Sequence, residues 1–326
     1  MILVIIVFAL GGFIAYQTTG TNNQTPETTN VKIADLPVVH ALPLYYAMEK
    51  GYFKDAGITV ERVKFEAPAQ LIDALMAGRV DMTSPSGAMG ITGIADFKTP
   101  GKIKIYVATG GDDTVANDSL LVSSGSTISS IQDLKGKKLG VLAGIQWKTI
   151  ASNILAKNGL SITNVTLVEL APAVQAPSLA SGAIDALLAI EPMPTIVQAK
   201  GIGKILLKAP TLAIADPFYP GAGAIRVEFA QKNPKTTALI MEILARSIRE
   251  IRANPTAAKQ YYKGYTPLDD TLISKAPVML FTMYDELTAK DLAAIQTFYD
   301  MFTTAKVVDG TISIKSLLYG DPDKKY

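Results

Sequence analysis

Residues 67–81 read APAQLIDALMAGRVD and residues 171–185 read APAVQAPSLASGAID. At a constant offset of 104 positions, six of the fifteen are identical: Ala67/Ala171, Pro68/Pro172, Ala69/Ala173, Leu75/Leu179, Gly78/Gly182 and Asp81/Asp185. Ala77/Ser181 and Val80/Ile184 are close substitutions. An alanine-rich chain supplies some of this by composition, but not the matched Pro, Gly and Asp. In both copies proline sits at a helix start, where its missing N–H costs nothing. The helix ends at Gly78 or Gly182, and a short strand begins around the aspartate.

Upstream, each copy carries a strand, a helix and a second strand. In the first these are Val31–Ala34, Leu44–Ala56 and Thr59–Phe65; in the second, Lys138–Leu142, Lys148–Asn158 and Val165–Glu169, with Gly57 and Gly159 closing the helices. Strands alternating with helices indicate an α/β fold of two lobes built on parallel strand pairs. The period is too long for a solenoid. Two such lobes imply a crevice between them, and open α/β sheets bind ligands off the carboxyl ends of their strands. Ile103–Thr109 reads as a further strand, and 110–118 and 216–223 as the two crossings between lobes. Helices are expected over Pro234–Gly264, with Leu239, Ile243, Ile248 and Ile251 on its apolar face, and over Lys290–Phe302, started by Thr288. The domain expectation is lobe 1 from 31–112 plus 224–326, and lobe 2 from 118–216.

Composition removes much of enzymology. The 326 residues contain no cysteine, so disulfides, thiolate zinc sites, iron–sulfur clusters and cysteine nucleophiles are excluded. One histidine, His40, cannot build a multi-histidine metal site. The net charge of +2 is far from the basic balance of a nucleic-acid binder, and 48% hydrophobic content is not that of a disordered chain. No P-loop is present, and no GxGxxG follows the first strand. No cofactor, metal or nucleic acid is therefore expected. Ile2–Tyr16 (ILVIIVFALGGFIAY) is uncharged and would span about 22 Å as a helix, which fits an export signal or short anchor over 1–16. Gln17–Asn30, nearly all Thr, Asn and Gln, reads as a flexible tether. Anchor, tether and globule form the layout of a protein held outside a membrane.

Several stretches in order carry a resemblance: His40-Ala41-Leu42-Pro43-Leu44, GYFKDAGITV (51–60), LMAGRVDM (75–82), LKGKKLGV (134–141), LAKNGL (155–160) and SGAIDALLAIEP (181–192). With them the chain resembles type II periplasmic solute-binding proteins of ABC importers, specifically the nitrate/sulfonate/taurine and thiamine-pyrimidine-precursor branch. The resemblance implies two lobes, each a mixed sheet flanked by helices, closing on a small-molecule solute. It also implies an ABC permease as partner, a monomer, no catalysis, and an extracytoplasmic location. Eukaryotic enzymes building the thiamine pyrimidine share the family but carry a cysteine-rich motif, which this chain lacks. An extracellular ligand sensor is the other alternative.

The candidate ligand contacts fall on the loops at strand ends. His40 lies in the loop after the first strand, and Tyr45 on the helix that follows. Ser84, Pro85 and Ser86 offer hydroxyls beside a helix start. Thr109 and Gly110 end a strand at the first crossing. In lobe 2, Gly144, Gln146 and Trp147 join strand to helix; the sole tryptophan could stack on a flat solute, and Gln146 adds a donor and an acceptor. Glu191 ends the second repeat. These loops contain Lys148 but no arginine, which favours a neutral or weakly basic heteroaromatic solute, although helix N-termini could still serve an anion.

Overall fold

The computed structural model describes residues 27–320. The expected signal or anchor, and the tether up to residue 26, lie outside the described residues. The tether's last residues are held in place: Glu27 accepts from Thr236 N at 2.9 Å, and Thr28 N donates to Asn233 at 2.9 Å. Residues 27–30 therefore depart from the flexible-tether expectation, because uncapped N–H groups at the start of the helix Pro234–Ala253 recruit them.

Among the described residues, twelve strands form two sheets. They are β1 (Asn30–Asp35), β2 (Thr59–Lys64), β3 (Met82–Thr83), β4 (Gly87–Ala88), β5 (Ile103–Gly111), β6 (Asp118–Ser123), β7 (Lys138–Leu142), β8 (Thr166–Leu170), β9 (Ala186–Ile190), β10 (Gly203–Lys208), β11 (Phe218–Arg226) and β12 (Leu280–Met283). The first sheet has the order β12-β5-β11-β3-β1-β2, with β4 on β11; the second is β10-β6-β9-β7-β8. In each, a parallel trio is followed by antiparallel strands: β2-β1-β3 in one and β8-β7-β9 in the other. The repeat seen in the sequence is thus a repeat of topology. Each trio places its central strand between the two that follow it in sequence, which creates the switch point where such sheets bind ligands.

The matched residues of the repeat have matched structural roles. Pro68 and Pro172 are the first residues of the helices Pro68–Met76 and Pro172–Ala180. Gly78 and Gly182 turn the chain out of them with φ of +73° and +74°, a left-handed conformation in which a Cβ is strained. Asp81 then accepts from Lys32 N at 2.9 Å, and Asp185 from Lys138 N at 2.7 Å, so each aspartate clasps the central strand of its parallel trio, β1 or β7.

Elsewhere the boundaries shift for physical reasons. The helix expected over Leu44–Ala56 is two, Leu42–Glu49 and Tyr52–Asp55, broken at Gly51, whose φ is +74°. The long helix stops at Ala253, ahead of Pro255, and the Asn254 side chain caps the next turn. Leu239 faces solvent, while Ile240, Met241, Leu244 and Ile251 carry the buried face with Ile243 and Ile248. Helix Ala289–Thr304 starts at Thr288 as expected, through a reciprocal capping box with Asp291. The crossings are narrower than expected: β5 continues to Gly111, and Phe218–Gly223 is strand rather than connection, so the chain passes between sheets over 112–117 and 209–217. One buried apolar cluster joins the halves, running from Trp147 and Ile150 of helix Ile145–Lys157 to Phe298, Tyr299 and Phe302 of the C-terminal helix.

Candidate ligand cleft

A crevice lies between the lobes, with an empty volume of about 730 Å³ when its open mouth is included. The carboxyl ends of all six parallel strands reach it. Leu36–Val38 and His40 follow β1, Glu66 and Pro68 follow β2, and Ser86 follows β3; Leu142 ends β7, Pro172 and Gln175 follow β8, and Ile190–Met193 close β9. Gln146, Trp147, Pro220 and Pro267 also line it.

Of the residues singled out in the sequence, the structure brings His40, Ser86, Gln146, Trp147 and Glu191 together on this crevice. It does not bring the others. Tyr45 is fully buried, and its hydroxyl donates to the Leu36 carbonyl at 3.0 Å and to the Asp35 carboxylate at 3.1 Å. Ser84 is likewise drawn inward, donating to Asp35 at 3.0 Å. Pro85 lies off the crevice, with its carbonyl beside Gly221. Thr109 and Gly110 are interior residues of β5, paired with β11 and β12; a Cβ on Gly110 would fall 1.9 Å from the Phe218 carbonyl oxygen. Gly144 donates its N–H to Glu169 at 2.8 Å and does not line the crevice.

The unforeseen organiser of the lobe 1 wall is Asp35, at the end of β1. Its carboxylate lies 3.3 Å from Arg62 Nε, and the guanidinium carbon lies 5.5 Å from the Tyr45 ring centre and 4.7 Å from that of Tyr265, two rings stacked on each other at 4.4 Å. Burial outweighs Arg62 and the hydroxyl donors and raises the Asp35 carboxyl to about 6. Above it, Ser86 Oγ sits 2.6 Å from Ser84 Oγ and accepts from Leu36 N at 2.9 Å.

A second chain runs along the crossing. His40 Nε2 lies 2.6 Å from Asn117 Oδ1, and Asn117 Nδ2 donates to Asp118 at 3.3 Å. Thr211, at the return crossing, donates its hydroxyl to Asp118, and Glu191 N donates to the Asn117 carbonyl at 3.0 Å. Burial depresses the His40 ring to about 4 and raises Asp118 to about 6 and Glu191 to about 7. Asn117 was invisible to the sequence reading, since 77 residues separate it from His40.

Gln146 ties the lobes together. From lobe 2 its Oε1 accepts from Gly90 N at 2.8 Å, at the start of lobe 1's helix Met89–Lys98, and its Nε2 donates to the Pro220 carbonyl at 3.0 Å. Trp147, 2% exposed, shows one edge to the crevice while its ring packs in lobe 2. Six prolines line the crevice (Pro37, Pro68, Pro172, Pro192, Pro220 and Pro267), each lacking a backbone N–H.

Two mixed α/β lobes with the parallel strand ends gathered on an interlobe cleft define the type II periplasmic-binding-protein fold. The profile of the family described as "NMT1/THI5 like" matches residues 39–258, well over half of the chain, and the chain belongs to that family. Over 326 aligned residues it is 24% identical to the "Putative aliphatic sulfonates-binding protein" of Bacillus subtilis (strain 168), covering 98% of this chain and 93% of that one. It is 25% identical over 242 residues to the 4-amino-5-hydroxymethyl-2-methylpyrimidine phosphate synthase THI13 of Saccharomyces cerevisiae, covering 71% and 69%. Among solved structures, the alkanesulfonate-binding protein SsuA from Xanthomonas axonopodis pv. citri, bound to MOPS, superposes with a TM-score of 0.74 at 18% identity over 90% of this chain and 99% of that one.

Proposed function

We propose that the protein is the extracytoplasmic solute-binding component of an ABC importer, which captures a small organic solute by closing its lobes and presents it to a membrane permease. One observation carries the reading: six strand ends, three from each lobe, converge on one cleft that Gln146 bridges. A solute touching both walls favours the closed form by its extra contacts there, and that difference drives closure. The lobes, taken as 31–112 with 224–326 and as 118–216, are proposed to move as bodies in a monomer. Export rests on the apolar run Ile2–Tyr16; no helix among the described residues is long and apolar enough to cross a membrane.

Binding without catalysis is supported by the state of the one histidine. His40 is 3% exposed, its ring is held neutral by burial, and its partner is an amide rather than a carboxylate, so it is a poor general base at neutral pH. Scattering and calorimetry against pyrimidines, sulfonates, nitrate and amines test the proposal. A contraction with one class is expected, and unchanged profiles across the whole panel would refute it.

A further inference from the structure

The hydrogen atoms in the cleft can be followed one by one. At neutral pH Asp35 is ionised and can only accept, so the Ser84 hydroxyl must donate to it. Ser84 Oγ then has to accept from Ser86 across their 2.6 Å contact. Ser86 has therefore spent its proton, and Leu36 N takes one of its lone pairs. What Ser86 shows the cleft is a remaining lone pair.

The same bookkeeping applies at His40. Ionised Asp118 orients the Asn117 amide with Nδ2 toward itself, which leaves Oδ1 facing His40. The ring must donate from Nε2, so Nδ1 is a bare acceptor, buried and without a partner. Gln175 directs Nε2 at the Leu170 carbonyl at 3.5 Å, which leaves Oε1 open. Glu191 has Oε2 engaged by Thr195 and no hydrogen-bond partner on its other oxygen, which is an acceptor in the ionised form that predominates above about pH 7. Against these four acceptors, the Trp147 indole N–H is the one wholly unengaged donor among the lining side chains described.

One N–H group at each of two helix starts beside the cleft is already engaged within the protein. Gly90 N, in the first turn of Met89–Lys98, donates to Gln146. Gly144 N, which leads into Ile145–Lys157, donates to the Glu169 carboxylate, itself 3.1 Å from Lys148. Pro68 and Pro172 open the other two helices that border the cleft on the repeats. Among the described residues, no Lys or Arg lines the cleft.

We infer that the cleft selects a solute with an N–H-rich, non-anionic head, an amine or amidine, that donates to His40 Nδ1, Ser86 Oγ and Glu191. This deepens the solute-binding reading and rests on it. A sulfonate or nitrate brings only acceptors to a wall of acceptors, which leaves buried groups unpaired on both sides.

Benzamidine and benzenesulfonate share a ring and differ in the head, so calorimetric titration of the full chain with both probes separates the cases. Benzamidine binding, with no heat from benzenesulfonate, is expected. Glu191→Gln should weaken benzamidine by about tenfold or more, the scale of a lost hydrogen bond to a charged group. Ser86→Ala, which keeps the backbone, should weaken it less, and unchanged melting of each variant excludes misfolding. Heat from benzenesulfonate alone, heat from neither probe, or benzamidine binding indifferent to Glu191→Gln overturns the inference. Benzenesulfonate heat with lobe contraction would do so while leaving the solute-binding reading intact; loss of contraction with every member of the wider panel would remove both.

Discussion

The two copies of the repeat agree wherever the backbone is being fixed and diverge where a side chain looks into the cleft. Asp81 and Asp185 both donate their own N–H to the lysine they clasp, Lys32 or Lys138, at 2.9 Å. Asp81 alone adds an ion pair, with Arg226 at 3.2 Å. One turn into the helix the copies part. Leu71 is fully buried in the lobe 1 core, whereas Gln175, its counterpart, lines the cleft. Proline, glycine and aspartate are retained because each meets a backbone demand that few residues can meet, while the cleft-facing position can vary without cost to the fold.

Placing the second copy's residue in the first breaks this comparison hardest. Leu71→Gln buries an amide without a partner and should cost about 3–4 kcal/mol in urea unfolding. The clasps come next. Asp81→Ala is expected to cost about 2–3 kcal/mol and Asp185→Ala about 1–2 kcal/mol, because only the former also loses an ion pair with a partly buried guanidinium, which is left with Glu228 alone. Equal losses would show that Arg226 adds nothing. Gln146→Ala removes both bonds between the lobes and should cost about 1–2 kcal/mol while raising the radius of gyration of the solute-free protein. A Gln146→Ala protein as compact as its parent would mean that the apolar cluster alone holds the lobes.

Protonation sharpens the comparison further. The folded-state carboxyls of Asp35, Asp118 and Glu191, raised to about 6, 6 and 7, take up protons before the unfolded chain does. Their contribution is fully present below the ordinary carboxylate range and is lost as pH rises through about 6–7. His40, depressed to about 4, works the other way: its contribution is present above its ordinary value of 6.5 and is lost as pH falls through about 4. With three groups against one, melting temperature should rise by several degrees from about pH 8 to about pH 5, and Asp118→Asn should flatten that slope. Smallest of all is Gln175→Leu, which gives up only a long hydrogen bond and should change stability by less than about 1 kcal/mol.

The lobes, the parallel strand pairs and the helix starts at Pro68, Pro172 and Thr288 were legible because they follow from local spacing. Phe218–Gly223 was read as a connection because FYPGAG carries turn residues; it is a central strand, and Gly223 is small because a Cβ there would meet the Tyr106 ring at 2.4 Å. Half of the candidate site was misplaced for a related reason. Tyr45 and Ser84 sit where cleft contacts belong, but a buried carboxylate, Asp35, claims their hydroxyls, and nothing in a linear sequence reveals that competition. Gln146 was expected as a ligand contact; it also joins the lobes, through partners at Gly90 and Pro220 more than fifty positions away on either side.

The second sheet is drawn from one uninterrupted stretch, 118–208, whose first and last strands are antiparallel neighbours, and Ala209 N donates to the Asp118 carbonyl at 2.9 Å. Entry and exit therefore stand side by side, like the two ends of a cassette. An entire wall of the cleft can be exchanged between homologues with two cuts, leaving the first sheet uncut.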